Sequence, residues 1–231
     1  MSHKSAPVIA IDGPSASGKG TVAHKVAQAL EFHFLDSGSL YRLVALAAIT
    51  TGGDLDDVSA IAQIAVNLDA SFDGDSVTLA GEDVTLAIRE ERVSGAASRV
   101  AAAPAVRKAL LERQRAFREP PGLVADGRDM GSVVFPDAVL KIFLTADAAE
   151  RALRRYKQLM EKGLSASMDA LLQEIRERDA RDSARAAAPL QKCADAIELD
   201  TTQLSVEDAV ARVLKLYETR TSKASDVRDA L

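Results

Sequence analysis

VIAIDGPSASGKGT, residues 8–21, decides the fold. Val8 to Asp12 is a short apolar run that stops at a Gly/Pro/Ser-rich turn, and Thr21 to Leu30 carries apolar residues at helical spacing through Val22, Val26, Ala29 and Leu30. The order is strand, loop, helix. A glycine-rich loop in that setting aims several backbone N–H groups at one point, where the helix N-terminus adds partial positive charge. Such a loop ordinarily reads G-x-x-x-x-G-K-[ST], with a hydroxyl directly after the lysine to meet Mg2+. Here Gly20 follows Lys19, and the hydroxyl arrives one residue later at Thr21. Gly and Ser also suit an ordinary strand-to-helix turn. Gly13, Gly18, Lys19 and Thr21, however, all fall where a triphosphate-binding loop needs them. The expected ATP contacts are Gly13, Pro14, Ser15, Ala16, Ser17, Gly18, Lys19, Gly20 and Thr21, with Lys19 as the charge for the β and γ phosphates.

Outward from this loop the unit repeats. An apolar run at 32–35 stops at Asp36-Ser37-Gly38, and a Leu/Ala-rich helical stretch follows at 40–49. Further strand candidates lie at 122–125, 139–144 and 196–199. Five short apolar strands alternating with helices predict an α/β, three-layer phosphate-loop fold with a parallel sheet covered on both faces. Residues 70–86 break the rhythm: Asp73-Gly74 and Ala80-Gly81 are turn signals between runs of period two, which predicts a small antiparallel meander. Helices are expected at 88–102, 105–118 and 147–162. The domain reading is one domain over 1–220, with a core of 6–62 and 104–220, an insert at about 63–103, a lid at about 157–185 and a mobile polar tail at 221–231.

Composition excludes several classes. A net charge of −5 argues against the broad basic footprint of a nucleic-acid binder. One cysteine, Cys193, rules out an internal disulfide framework, and there is no C-x-x-C or His/Cys cluster for zinc. His3, His24 and His33 lack partner motifs, so packing or surface roles are expected for them, as for Cys193. The start, MSHKSAPVIAID, has no signal-peptide character, and no later run reaches the roughly 18 apolar residues of a membrane span. The expectation is a cytoplasmic monomer that engages neither membrane nor nucleic acid. A GTPase would carry N-K-x-D, and the sole asparagine, Asn67, precedes leucine.

Asp36-Ser37-Gly38-Ser39-Leu40-Tyr41-Arg42 follows the second strand and so lies at the carboxyl edge of the sheet, where ligands bind. Small residues there admit a phosphate and Arg42 can fork onto its oxygens; a capped helix start with a solvated arginine explains the segment equally well. Ala125-Asp126-Gly127-Arg128-Asp129-Met130-Gly131 brings two carboxylates and an arginine to the same edge. Asp126 is placed like the aspartate that orders Mg2+ and its waters. Arg128 can hold phosphate, and Asp129 can accept from a base amino group as acidic side chains do with cytosine N4. A surface turn accounts for an isolated D-G, but poorly for D-G-R-D-M-G after a buried strand.

The G-K-G-T loop resembles that of nucleoside monophosphate kinases. D-S-G-S-L-Y-R, A-A-S-R-V-A, V-A-D-G-R-D-M-G-S-V-V-F-P-D-A and R-E-R-D-A-R-D-S-A-R-A-A-A-P-L are similar to the motifs of the bacterial cytidylate kinase family, over about Ala6 to Tyr217. The resemblance implies ATP-dependent phosphorylation of CMP and dCMP with Mg2+. It implies that Ser98, Arg107, Asp129 and Arg185 contact cytosine, and that Asp182 and Arg178 meet the ribose or phosphate region. Arg42 and Arg128 are implied to hold the acceptor phosphate, with Ser37 and Tyr41 beside them. Ala103 before Pro104 departs from the aromatic that would suit the rim of the insert.

Arg178, Arg181, Asp182 and Arg185 fall at i, i+3, i+4 and i+7, one face of a helix. A solvated face with local pairs such as Glu174 with Arg178 gives the same pattern. Three arginines on one side are better explained by several phosphates, neutralised and shielded from water as a lid closes. The catalytic set is then Lys19, Asp126, Arg128, Arg178 and Arg181. Arg151 and Arg155, at i and i+4 on the preceding helix, border the ATP adenine and phosphates by the same resemblance, unless they pair with Glu150 or Asp147. With no side chain at Gly20, Mg2+ is expected on phosphate oxygens and water, ordered by Asp126 and Asp36 through water. The competing readings are a kinase of another small acceptor, such as UMP or shikimate, and a non-catalytic nucleotide sensor.

Overall fold

The computed structural model describes residues 6–74, 76–161, 163 and 165–229, of which the final seven are traced as helix backbone. His3 and the last two residues of the expected tail lie outside the described residues. In chain order the elements are β1 (Val8–Asp12), α1 (Lys19–Leu30), β2 (His33–Asp36), α2 (Ser37–Thr50), α3 (Val58–Val66), β3 (Ala70–Asp73), β4 (Ser76–Leu79), β5 (Glu82–Asp83), a 3-10 turn (Ala87–Arg89), α4 (Glu91–Val100) and α5 (Pro104–Arg115). Then come β6 (Leu123–Gly127), a π-helical turn (Met130–Val134), β7 (Leu140–Thr145), α6 (Ala148–Glu161), α7 (Met168–Ser183), β8 (Ile197–Asp200) and α8 (Val206–Asp229). The chain divides into two compact units, Met1–Leu35 with Phe117–Leu231, and Asp36–Ala116.

In the first unit β1 runs parallel to β6 on one side and to β7 on the other, and β7 is parallel to β8. The sheet order is β2-β6-β1-β7-β8. Every residue of β1 and β6 is buried, which is why VIAID and LVADG read as continuous rather than alternating apolar runs. Ile9 and Ile11 share a cluster with Val22, Ala23, Val26 and Ala27 of α1 and with Ala209 and Val213 of α8. Each such isoleucine contributes about 1.5–3 kcal/mol through burial. The register sets Ile11 beside Asp126 and Asp12 beside Gly127, so the carboxylates of two neighbouring strands reach the same sheet edge.

Helices α6 and α7 pack on each other as a helical hairpin. Ala152 of α6 and Leu171 and Ile175 of α7 make a small core, onto which Tyr156, Leu159 and the phosphate-loop residue Ala16 pack. Ser167 caps α7, its hydroxyl accepting from the Ala170 N–H at 3.4 Å. One expectation changes here. Helix α7 ends at Ser183 with Ala184 as its C-cap, so Arg185 lies past the helix rather than at its i+7 position.

In the second unit, α2 packs on α4 and α3 on α5. Asp36 and Asp57 cap α2 and α3, and Pro104 opens α5 at its first turn. The meander is present as β3-β4-β5, with Gly74, Ala80 and Gly81 at positive φ in its two turns. Arg113 donates to the carbonyls of Leu68 and Ala70 and so ties the start of the meander to α5. The insert expected at about 63–103 falls inside this larger unit. Helix α8 runs on to Asp229, into the stretch expected as a polar tail. Thr219 and Thr221 donate their hydroxyls to the carbonyls of Lys215 and Tyr217, one turn back along the helix.

Candidate active site

The phosphate loop is built by backbone conformations that only small residues tolerate well. Ala16 and Gly18 both take left-handed φ, of 56° and 89°, and alternation of this kind turns successive N–H groups inward to form an anion-binding concavity. A Cβ on Gly13 would stand 2.0 Å from the Leu144 carbonyl oxygen, so the loop can leave the sheet only at a glycine. Ser17 closes the turn by donating to the Pro14 carbonyl at 3.0 Å. Lys19 is buried, donates to the same carbonyl at 3.2 Å, and lies 3.9 Å from Asp126 Oδ1. The Ser15 hydroxyl is buried without a hydrogen-bond partner among the described residues.

Glycine at position 20 has a physical cause. A Cβ built there would lie 3.0 Å from Asp126 Oδ2, so the carboxylate occupies the space that the usual Ser or Thr would need. Among the described residues no group of three or more His, Cys, Asp or Glu side chains is placed to hold a metal. One buried carboxylate beside a phosphate loop suits Mg2+, which keeps its waters and takes phosphate oxygens. Asp36 is committed within its own unit: it accepts from the Ser39 N–H at 3.2 Å, the Ser39 hydroxyl at 2.7 Å and Arg42 Nη2 at 2.5 Å.

The loop is held from behind by residues that sequence reasoning missed. Arg154 donates to the carbonyls of Ser17 at 3.2 Å and Thr201 at 2.6 Å, and the Thr201 hydroxyl donates to Ser17 and Thr145 carbonyls. The only sequence signal for Arg154 is Glu150 one turn before it, which pairs with it at 3.0 Å. Arg151 is buried and donates to the carbonyls of Ala146 and Ser15 and to both oxygens of Asp179 on α7. It therefore joins α6, α7 and the phosphate loop. Arg155 is half-buried on α6.

After β6, Arg128 Nε donates to Asp182 Oδ2 at 2.9 Å, and Arg185 donates to Asp182 Oδ1. Burial raises the Asp182 pKa, but the charges of Arg128 and Arg185, with Arg178 further off, outweigh it and hold the carboxyl below the ordinary aspartate range. Arg178 is half-buried, whereas Arg181 is exposed. Asp129, buried, begins the π-helical turn. Asp12, absent from the sequence-based set, accepts from the N–H groups of Met130 and Gly131, both at 2.8 Å. Burial pushes its carboxyl up to about 7 against those two bonds, with Asp129 and Asp126 adding to the rise.

In the second unit, Ser98 is buried on α4, its hydroxyl without a hydrogen-bond partner among the described residues. Arg107 lies with its guanidinium 5.3 Å from the Tyr41 ring centroid and donates to the Ala101 carbonyl at 3.2 Å. Ser37 is buried in the first turn of α2, and Arg42 faces Asp36 and Ser39 one turn later.

A cytidylate kinase family model matches residues 9–219. The cytidylate kinase of Bordetella pertussis is 61% identical over 212 residues, 92% of this chain and 95% of that one. Those of Nitrosomonas europaea and Cupriavidus necator are 57% and 59% identical, over 94% and 91% of this chain and 97% and 95% of theirs. The chain belongs to the cytidylate kinase family. It is a phosphotransferase of the nucleoside monophosphate kinase kind, and the expected resemblance stands. No helix among the described residues is long and apolar enough to cross a membrane.

Proposed function

We propose that the chain transfers the γ-phosphoryl group of ATP to CMP, and also to dCMP, giving ADP and the pyrimidine diphosphate. The observation that carries this reading is the family match from residue 9 to 219, a span that holds both the phosphate loop and the D-G-R-D turn. Backbone N–H groups of the loop from Gly13 to Thr21, Pro14 excepted, and the Lys19 ammonium bind the donor phosphates. Arg42 and Arg128 hold the acceptor phosphate beside Ser37 and Tyr41, and Ser98, Arg107, Asp129 and Arg185 read the base. Arg178 and Arg181 neutralise the transferring group, and Asp182 keeps Arg128 and Arg185 oriented. The unpartnered Ser98 hydroxyl supports its assignment, since a buried donor without a partner costs about 1–3 kcal/mol unless a ligand supplies one.

Transfer is in line and needs no covalent enzyme intermediate, so positioning and charge compensation carry the rate. Bound Mg2+ supplies neutralisation of the phosphate oxygens, and Asp126 is the carboxylate that would order its waters, with Asp36 the second candidate. The reaction belongs in the cytoplasm, with the chain acting as a monomer and engaging neither nucleic acid nor membrane. The test is a coupled ADP assay with CMP, dCMP, UMP and AMP as acceptors. CMP and dCMP should give the highest kcat/KM; preference for UMP or AMP would displace the assignment, and ATP binding without turnover of any acceptor would favour a sensor.

A further inference from the structure

Asp12 serves no role in the reaction as described, yet it is tied to the acceptor side of the chemistry. Its backbone leads into Gly13 and so into the donor loop, while its side chain crosses to the turn after β6 and takes the Met130 and Gly131 N–H groups on separate oxygens, each at 2.8 Å. These two N–H groups open a helical turn, where backbone donors otherwise go unsatisfied. The carboxylate thus caps that turn from another strand, 118 and 119 residues away in sequence. It holds the two peptide planes that immediately follow Asp129. Asp12 is 5% exposed, so no water replaces these bonds without opening the strand end.

We infer that Asp12 is a positioning residue for acceptor recognition, holding the Arg128–Gly131 turn so that Asp129 meets the base amino group while the same residue's backbone anchors the donor loop. The inference rests on the CMP kinase reading given above. Asp12→Asn keeps shape and one acceptor but presents an amide donor to one of the two N–H groups. Losing one of the two hydrogen bonds in this way should raise KM for CMP about tenfold. KM for ATP should stay within about twofold, and the CMP-over-UMP preference should shrink, because UMP lacks the amino group that Asp129 accepts from.

A second variant approaches the same contact from the other side. Gly131→Ala leaves the carboxylate in place and merely touches Asp12 Oδ2 at 3.4 Å, but its Cβ would crowd Lys141 at 3.1 Å from Cδ and 3.2 Å from Cγ; the turn must shift to relieve this, which should move the same parameters in the same direction, less strongly. The experiment measures kcat and KM for ATP, CMP and UMP in wild type and both variants, with ADP binding as a check on the donor loop. Loss confined to CMP, with reduced CMP-over-UMP preference, supports the role. Equal loss for ATP and CMP with preference intact, or no change in either variant, overturns it. A wild-type enzyme that does not phosphorylate CMP would instead overturn the parent reading, and this inference with it.

Discussion

Gly20→Ser would restore the hydroxyl that the common phosphate loop carries, and the structure predicts that it impairs the enzyme. A Cβ at this position lies 3.0 Å from Asp126 Oδ2, a few tenths of an ångström inside ordinary contact. Asp126 is 7% exposed on a strand buried at every residue, so it has little room to retreat. Overpacking of this order costs about 1–3 kcal/mol. If turnover bears the whole cost, that is a loss of about 5- to 150-fold. Retreat of the carboxylate would also lengthen its 3.9 Å approach to Lys19. The assay is kcat as a function of Mg2+ for wild type, Gly20→Ser, Asp126→Ala and the double variant. If the new side chain acts by displacing the carboxylate, the two changes are non-additive, and Gly20→Ser costs less than about threefold once Asp126 is gone. Turnover within about twofold of wild type for the single variant, or a full loss that persists without Asp126, would refute the reasoning.

Three further outcomes follow from the contacts. Arg128→Ala should lose about 3 kcal/mol or more of transition-state stabilisation, roughly 150-fold in kcat/KM, if Arg128 holds the transferred or acceptor phosphate; unchanged turnover would remove it from the site. Asp182→Asn should destabilise the fold by about 3 kcal/mol or more at pH 7, because it leaves two largely buried arginines without their carboxylate. The Asp182 pKa is depressed in the folded state, so its contribution is complete above the unfolded aspartate pKa and is lost as pH falls through the folded value. The gap in denaturant unfolding between wild type and this variant should therefore shrink below about pH 4. Arg154→Met should raise KM for ATP about tenfold and leave KM for CMP nearly unchanged, since it removes the charged donor to the Ser17 carbonyl of the donor loop and leaves only the Thr201 hydroxyl there.

Local patterning made much of this molecule readable. Fully buried strands such as VIAID and LVADG show as apolar runs closed by Asp or Gly, and the meander declares itself through Asp73-Gly74 and Ala80-Gly81, whose glycines take positive φ. What stayed hidden depends on distant partners or on small rotations. Nothing near Asp12 in sequence announces that it caps a turn more than a hundred residues away. Arg154 differs from Arg155 by one helical step of about 100°, and only the fold decides which of them reaches the phosphate loop. Arg185 keeps its tie to Asp182 although the helix has ended, because one residue beyond a C-cap still lies close to the last turn. The polar end of α8 hid its helix because it carries no apolar stripe to announce one.

The most direct test of the account is to mix the purified chain with ATP, Mg2+ and CMP and follow the reaction by phosphorus NMR. The account predicts CDP and ADP appearing in equal amounts, with no signal of free phosphate and no reaction when CMP is withheld. ATP consumption that releases free phosphate without CDP, or no consumption at all, would contradict it.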